Sequence, residues 1–382
     1  MPYNNQASSL AYGMGASEQV AYDTAEKYVY SASEQGFINV IDYNDATAPV
    51  FAAGASLEFP GESLTDVEIC QAQGLLWIAS SPSKLSPGKV YKYRTKKRLQ
   101  TDIIAPVLVA TYDVGYLPDM LTPNSDCTKI AVANEGEGVY RKASADYTGP
   151  GIVEGLVDPA GSISLIDVAS GTVSSVSLKT DAICMTDAEC KAKSVHLPLE
   201  YEAMVYFDTQ SATFASDLNF TAAIAAYSVD QQLEPEYAVF SSDGTKLYVN
   251  LQENSALVTI DVASATATRI DAYPLKDWTT TPIDTVKDGG CTLANKTGFR
   301  ALRMPDSISI ANVDGRTYII AADEGDDKEY GAFEEKQKVC FTLPHCALGA
   351  WRKRPCRDAY LRCPPACGHA CTVQECGRPV HG

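Results

Sequence analysis

Histidine is nearly absent from this chain. The 382 residues hold four, and three of them lie beyond residue 339. His196 is the sole imidazole before that point and sits in an insertion between repeats, which argues against a Ser-His-Asp arrangement or a His-rich zinc site there. There is no run of 18 apolar residues, so no stretch reads as a membrane-spanning helix. The first twenty residues lack a basic stretch followed by an apolar core and do not read as a signal peptide. A sustained helical period is also missing, and the best helical candidate is the short segment 186–193. Positive charge is scarce, with 31 Lys and Arg against 48 Asp and Glu for a net of −17. Residues 339–382 carry six basic and two acidic side chains, a net of +4, so residues 1–338 carry −21. An acidic body of this kind repels nucleic acid and anionic membranes, and it attracts divalent cations or basic polymers.

What the chain does have is a recurring segment. Three strong copies begin at Pro118 (PDMLTPNSDCTKIAVANEGEG), Pro235 (PEYAVFSSDGTKLYVNLQENSA) and Pro305 (PDSISIANVDGRTYIIAADEGDD). Each opens with a Pro-acid pair: Pro118-Asp119, Pro235-Glu236, Pro305-Asp306. A short apolar stretch, a polar turn, a β-branched or aromatic strand and an acidic or amide-rich loop follow. Weaker copies at 20–42 and 67–93 add a third strand, which recurs at 162–167 and 256–261. Asp-Gly turns between alternating apolar runs specify hairpins, and meanders repeating every 40 to 50 residues or so specify propeller blades. The expected fold is therefore all-β, a β-propeller of about five blades. The fifth copy lacks its third strand, so the ring is expected to be incomplete, with exposed strand edges.

Composition changes abruptly near Lys338. Residues 1–17 form an N-terminal segment, 18–338 the repeat domain, and 339–382 an irregular Cys-, Pro- and Arg-rich tail expected to lie outside the fold. Seven of the twelve cysteines crowd into that tail. They lack paired C-x2-C zinc spacing, so a disulfide knot or sequence without selected structure are the other readings. In the body, Cys184 and Cys190 lie close enough in sequence to close a small loop disulfide. Asn219 and Asn295 head N-glycosylation sequons, which matter only in a secreted protein.

The acidic loops are the candidate metal site. They supply Asn134, Glu135 and Glu137 from one copy, Gln252, Glu253 and Asn254 from the next, and Asp323, Glu324, Asp326 and Asp327 from the last. Each follows the same strand of its blade, so a propeller would bring them to one face. Carboxylate and amide oxygens are what Ca²⁺ or Mg²⁺ takes, although no EF-hand spacing is present. The competing view is of solvated turns whose side chains bond local N–H groups. For the recurring Pro-acid pairs, a blade-to-blade clasp is favoured over a ring of carboxylates around the channel.

Several phrases in order resemble the choice-of-anchor I family. They are the copy at Pro118, DPAGSISLIDV from Asp158, LEPEYAVFSSDGTKLYVNLQENSALVTIDV from Leu233, LKDW, KDGG, and MPDSISIANVDGRTYIIAADEGDDKEYG from Met304. The animal members resembled here are mesenchyme-specific cell surface glycoproteins associated with biomineral deposition, and the strand ends are similar to YVTN propeller repeats. The resemblance implies a non-enzymatic extracellular or cell-surface glycoprotein, engaging mineral or matrix components and binding calcium. A Ca²⁺-dependent phosphoesterase of the phosphatase-like propeller type and a metal-free protein- or glycan-binding module are the alternatives. Family members carry an export signal and continue into further blades. This chain is accordingly expected to be a fragment or alternative product of a longer gene.

Overall fold

The computed structural model describes Ser17, residues 19–141, 155–197, 228–285 and 289–328, and three short strands at 337–338, 360–362 and 372–374. Antiparallel sheets in chain order make up the body. The first blade pairs Val20–Asp23, Tyr28–Ser33 and Phe37–Asp42, and the last of these also pairs with two-residue strands at Val50–Phe51 and Leu57–Glu58. The second blade is Ser63–Cys70, Leu75–Ser81, Pro87–Arg94 and Val107–Tyr116. The third is Pro118–Pro123, Lys129–Asn134, Ser162–Asp167 and Val173–Ser177. The fourth is Tyr237–Phe240, Lys246–Leu251, Ala256–Asp261 and Thr266–Ala272. The fifth, Pro305–Val313 and Arg316–Asp323, is a two-stranded hairpin. The first strands of the successive sheets lie side by side. The architecture is propeller-like, with five units among the described residues, the fifth showing two strands there.

The second strand of each blade explains why the sheets stack. Side chains alternate across a strand, and here each face meets a different neighbour. Leu76 and Ile78 join a core shared with Tyr30, Ile38 and Val40 of the first blade. Trp77 and Ala79, between and beyond them, join a core with Leu121, Ile130 and Val132 of the third. Ala131 and Ala133 turn the other way, onto Leu247, Val249 and Val258 of the fourth. Strands buried on both faces need near-continuous apolar runs, as in Ile130-Ala131-Val132-Ala133. Outer strands such as Thr266–Ala272 instead alternate between buried and exposed residues. In the fifth hairpin, Met304 and Ile308 are buried, whereas Tyr318 and Ile320 are 46% and 58% exposed.

Several bonds tie neighbouring blades together. Thr65 Oγ1 donates to the Pro118 carbonyl at 2.6 Å, and Asn250 Nδ2 donates to the Pro305 carbonyl. Asp66 accepts from Leu121 N–H of the next blade at 2.8 Å and from Val67 N–H at 2.7 Å. Burial pushes its carboxyl up to about 8, with Glu68 adding to the rise and the two N–H donors opposing it. A disulfide joins Cys70, closing the first strand of the second blade, to Cys127 in the matching turn of the third. A second disulfide joins Cys184 and Cys190. It pins the helix Asp187–Ala192, whose N-cap Thr186 accepts from Glu189 N–H, onto the core between the third and fourth blades. In the tail, Tyr360–Arg362 pairs with Gln337–Lys338 and Thr372–Gln374. Two short strands thus stand where an irregular chain is expected.

Candidate functional site: a carboxylate-lined cavity

Register breaks fall at one position in three blades, between Leu64 and Asp66, Pro118 and Met120, and Pro305 and Ile308. A bulge inserts an unpaired residue and re-aims its side chain. Two of these breaks fall on the recurring acids Asp119 and Asp306. The Pro118 and Pro305 carbonyls accept bonds from the neighbouring blade, and Asp119 lies within reach of other carboxylates. Burial raises Asp119 to about 7, and the charges of Asp306, Glu253 and Glu137 add to the rise. Burial likewise lifts Glu236 well above the usual carboxylate range, reinforced by Glu253 both as a charge and through a hydrogen bond between the two side chains.

The acidic loops meet the same cluster. Glu135 follows directly on Lys129–Asn134, and its N–H donates to the Leu117 carbonyl at 2.9 Å. Glu253 sits in the tight turn between Lys246–Leu251 and Ala256–Asp261, closed by Ser255 N–H to the Gln252 carbonyl. Glu234 comes from the segment ahead of Pro235. Its N–H donates to Asn254 Oδ1 at 3.1 Å, while Asn254 Nδ2 donates to the carbonyls of Gln232 and His196. Asn254 thus fixes the Glu234 segment beside the Glu253 turn. Gly161 lets the third and fourth blades approach, since a Cβ there would lie 1.9 Å from the Leu233 carbonyl and 2.9 Å from that of Glu135.

The result is a cavity of about 230 Å³ lined by Glu135 and Glu137 of the third blade, Glu234 and Glu253 of the fourth, and Asp326, Asp327 and Lys328 of the loop after the fifth hairpin. Carboxylate oxygens of Glu135, Glu234 and Glu253 all lie within 4.8 Å of one another. A calcium ion with oxygen ligands at roughly 2.4 Å spans about that distance between opposite ligands. Glu253 is 6% exposed, and its Oε2 has no hydrogen-bond partner. Burial raises Glu135 well above its ordinary range, with Glu137, Glu253 and Asp119 adding to it and Lys84 opposing. Lys84 is paired with Glu137. Lys328 Nζ contacts Glu234 Oε1 at 2.7 Å, and both side chains are almost wholly buried.

Of the candidate ligands, Glu135, Glu137, Glu253, Asp326 and Asp327 line this cavity. Asn134 donates instead to Ser162 and Ser164, and Asn254 is engaged as above. Asp323 pairs with Arg303 at 2.9 Å. Glu324 bonds through its backbone N–H to the Met304 carbonyl and is exposed. Glu234 and Lys328 had no sequence signal as site residues, because Glu234 precedes the repeat and Lys328 follows the acidic run. Asn295 is exposed on the excursion between the fourth and fifth blades, and Asn219 lies outside the described residues.

Among solved structures the chain is similar to one in a crystal structure of a nidogen/laminin complex, with 11% identity and a TM-score of 0.35. That match covers 69% of this chain and 66% of the other. No curated protein matches significantly. The choice-of-anchor I domain profile matches residues 18–346, which spans all five blades and reaches past Lys338. The chain belongs to the choice-of-anchor I domain family.

Proposed function

We propose that this is a non-enzymatic, surface-associated propeller whose acidic cavity binds calcium, and which through it engages mineral or matrix components outside the cell. The observation that carries this reading is the convergence of acidic loops from three successive blades on one cavity. Oxygen ligands from several carboxylates suit a hard divalent cation, and like charges crowded in a cavity are stabilised by a cation or by protons. Two disulfides in the body fit an oxidising compartment, and an exposed sequon at Asn295 fits glycosylation there. No helix among the described residues is long and apolar enough to cross a membrane. Surface association would then come from another anchor or from the ligand.

The test is calorimetric titration of the full chain with Ca²⁺, beside an assay with a generic phosphate monoester. The reading predicts saturable heat with Ca²⁺, weakened at least tenfold in Glu253→Gln, and no turnover. Absence of heat and of any thermal shift at millimolar Ca²⁺ would remove the calcium role. Calcium-dependent turnover lost in Glu135→Gln would replace it with phosphoesterase chemistry.

A further inference from the structure

The cavity already holds a cation of the chain's own. Lys328 Nζ lies 2.7 Å from Glu234 Oε1 and 3.2 Å from the Gln232 carbonyl, and its side chain is 1% exposed. A lysine this buried persists only where carboxylate and carbonyl oxygens replace its water. Glu234 is also one of the three carboxylates whose oxygens come within 4.8 Å of one another. The ammonium and a divalent ion would therefore draw on the same oxygens. Calcium needs six to eight oxygens, and Lys328 already draws on a Glu234 carboxylate oxygen and the Gln232 carbonyl.

A second, independent feature marks the triad as a place for a ligand. Glu253 Oε2 is buried and has no hydrogen-bond partner, although the same carboxylate bonds Glu236. A buried carboxylate oxygen without a donor is costly unless something fills the position.

We propose that Glu135, Glu234 and Glu253 form a single divalent-cation site and that Lys328 is its built-in competitor, so ion binding requires the ammonium to leave Glu234. This rests on the calcium reading above and specifies its site. The release is mechanically simple. Lys328 lies four residues after Glu324, where the N–H groups of Glu324 and Gly325 tie the chain to the Met304 carbonyl. Gly325 has φ +90° and open space around it. The lysine stem adds four rotatable carbons. Ion occupancy is thereby linked to the position of the loop that follows the fifth hairpin. The site reports its own filling at the surface as a newly exposed amine.

The experiment uses the full chain and Ca²⁺ alone. Titration calorimetry is run on the wild type, Lys328→Met and Glu253→Gln, and amine acetylation of wild-type Lys328 is followed by mass spectrometry with and without Ca²⁺. Expected are at least tenfold tighter binding in Lys328→Met, at least tenfold weaker binding in Glu253→Gln, and faster acetylation of Lys328 when Ca²⁺ is bound. Wild-type binding that Lys328→Met leaves unchanged or weakens, or Lys328 labelling unaltered at saturating Ca²⁺, overturns the competitor role while the calcium reading stands. Binding in Lys328→Met alone supports competition strong enough to block the wild type. No binding in either protein removes both. Should Lys328→Met fail to fold, the labelling of the wild type decides.

Discussion

Removing the Cys70–Cys127 disulfide tests whether the second and third blades are stapled as the structure shows. The bond closes a loop of 57 residues. By the chain-entropy relation, cross-linking a loop of that length removes about 4 kcal/mol of unfolded-state freedom. The native state should relax little when the bond is lost. The same two blades share a buried core around Trp77, Leu121 and Ile130 and are tied by Thr65 and Asp66. Cys70→Ala/Cys127→Ala should therefore fold to the same structure but lose roughly 3–4 kcal/mol, near the entropic figure. In a chain of this size that lowers Tm by about 5 °C. Thermal and urea unfolding, followed by both circular dichroism and tryptophan fluorescence, measures it, and coincident transitions license the comparison. A loss below about 1 kcal/mol with both probes in agreement, or free thiols at Cys70 and Cys127 in protein from an oxidising compartment, would refute the reasoning.

Asp66 supplies a pH signature. Its carboxyl titrates near 8 in the folded protein and near 3.9 in the unfolded chain. The folded state thus holds the extra proton between those values, and stability present below pH 4 is lost as pH rises through 8. Asp66→Asn should flatten that part of the stability–pH curve, and an unchanged slope would show the clasp to be ionised throughout. Asp66→Ala orphans the buried N–H groups of Leu121 and Val67 and should cost about 2 kcal/mol or more in urea unfolding. Gly161→Ala sets a Cβ 1.9 Å from the Leu233 carbonyl. It should both destabilise the protein and weaken Ca²⁺ binding by moving Glu234 away from Glu135, so wild-type affinity in that variant would dissociate the close approach from the site.

How much of this was legible in the sequence differs between strand and site. Self-similarity placed the strands well, because blade packing imposes the same demand on each copy: an apolar second strand such as Leu247-Tyr248-Val249 and a turn such as Asp243-Gly244, where φ is +69°. The third strand Ala256–Asp261 follows the same logic, whereas the short helix between Thr186 and Lys193 lies in an insertion and rests on its own Thr186 cap. The site was only half legible. The acidic loops stood out as recurrent, but which carboxylates meet depends on bulges and on the segment before Pro235, neither of which has a local pattern. The amides Asn134 and Asn254 resemble ligands in sequence, yet they meet buried backbone and hydroxyl groups that only the fold brings near. The Cys70–Cys127 bond had a weak signal, since both residues fall at the first hairpin of neighbouring copies.

The most direct measurement of the central claim is a crystal structure grown with calcium, with Mn²⁺ as an anomalous stand-in. The account predicts an ion among Glu135, Glu234 and Glu253, within about 2.6 Å of an oxygen from each, with Lys328 withdrawn from Glu234. An ion-free cavity at millimolar cation, with Lys328 still against Glu234, would contradict it.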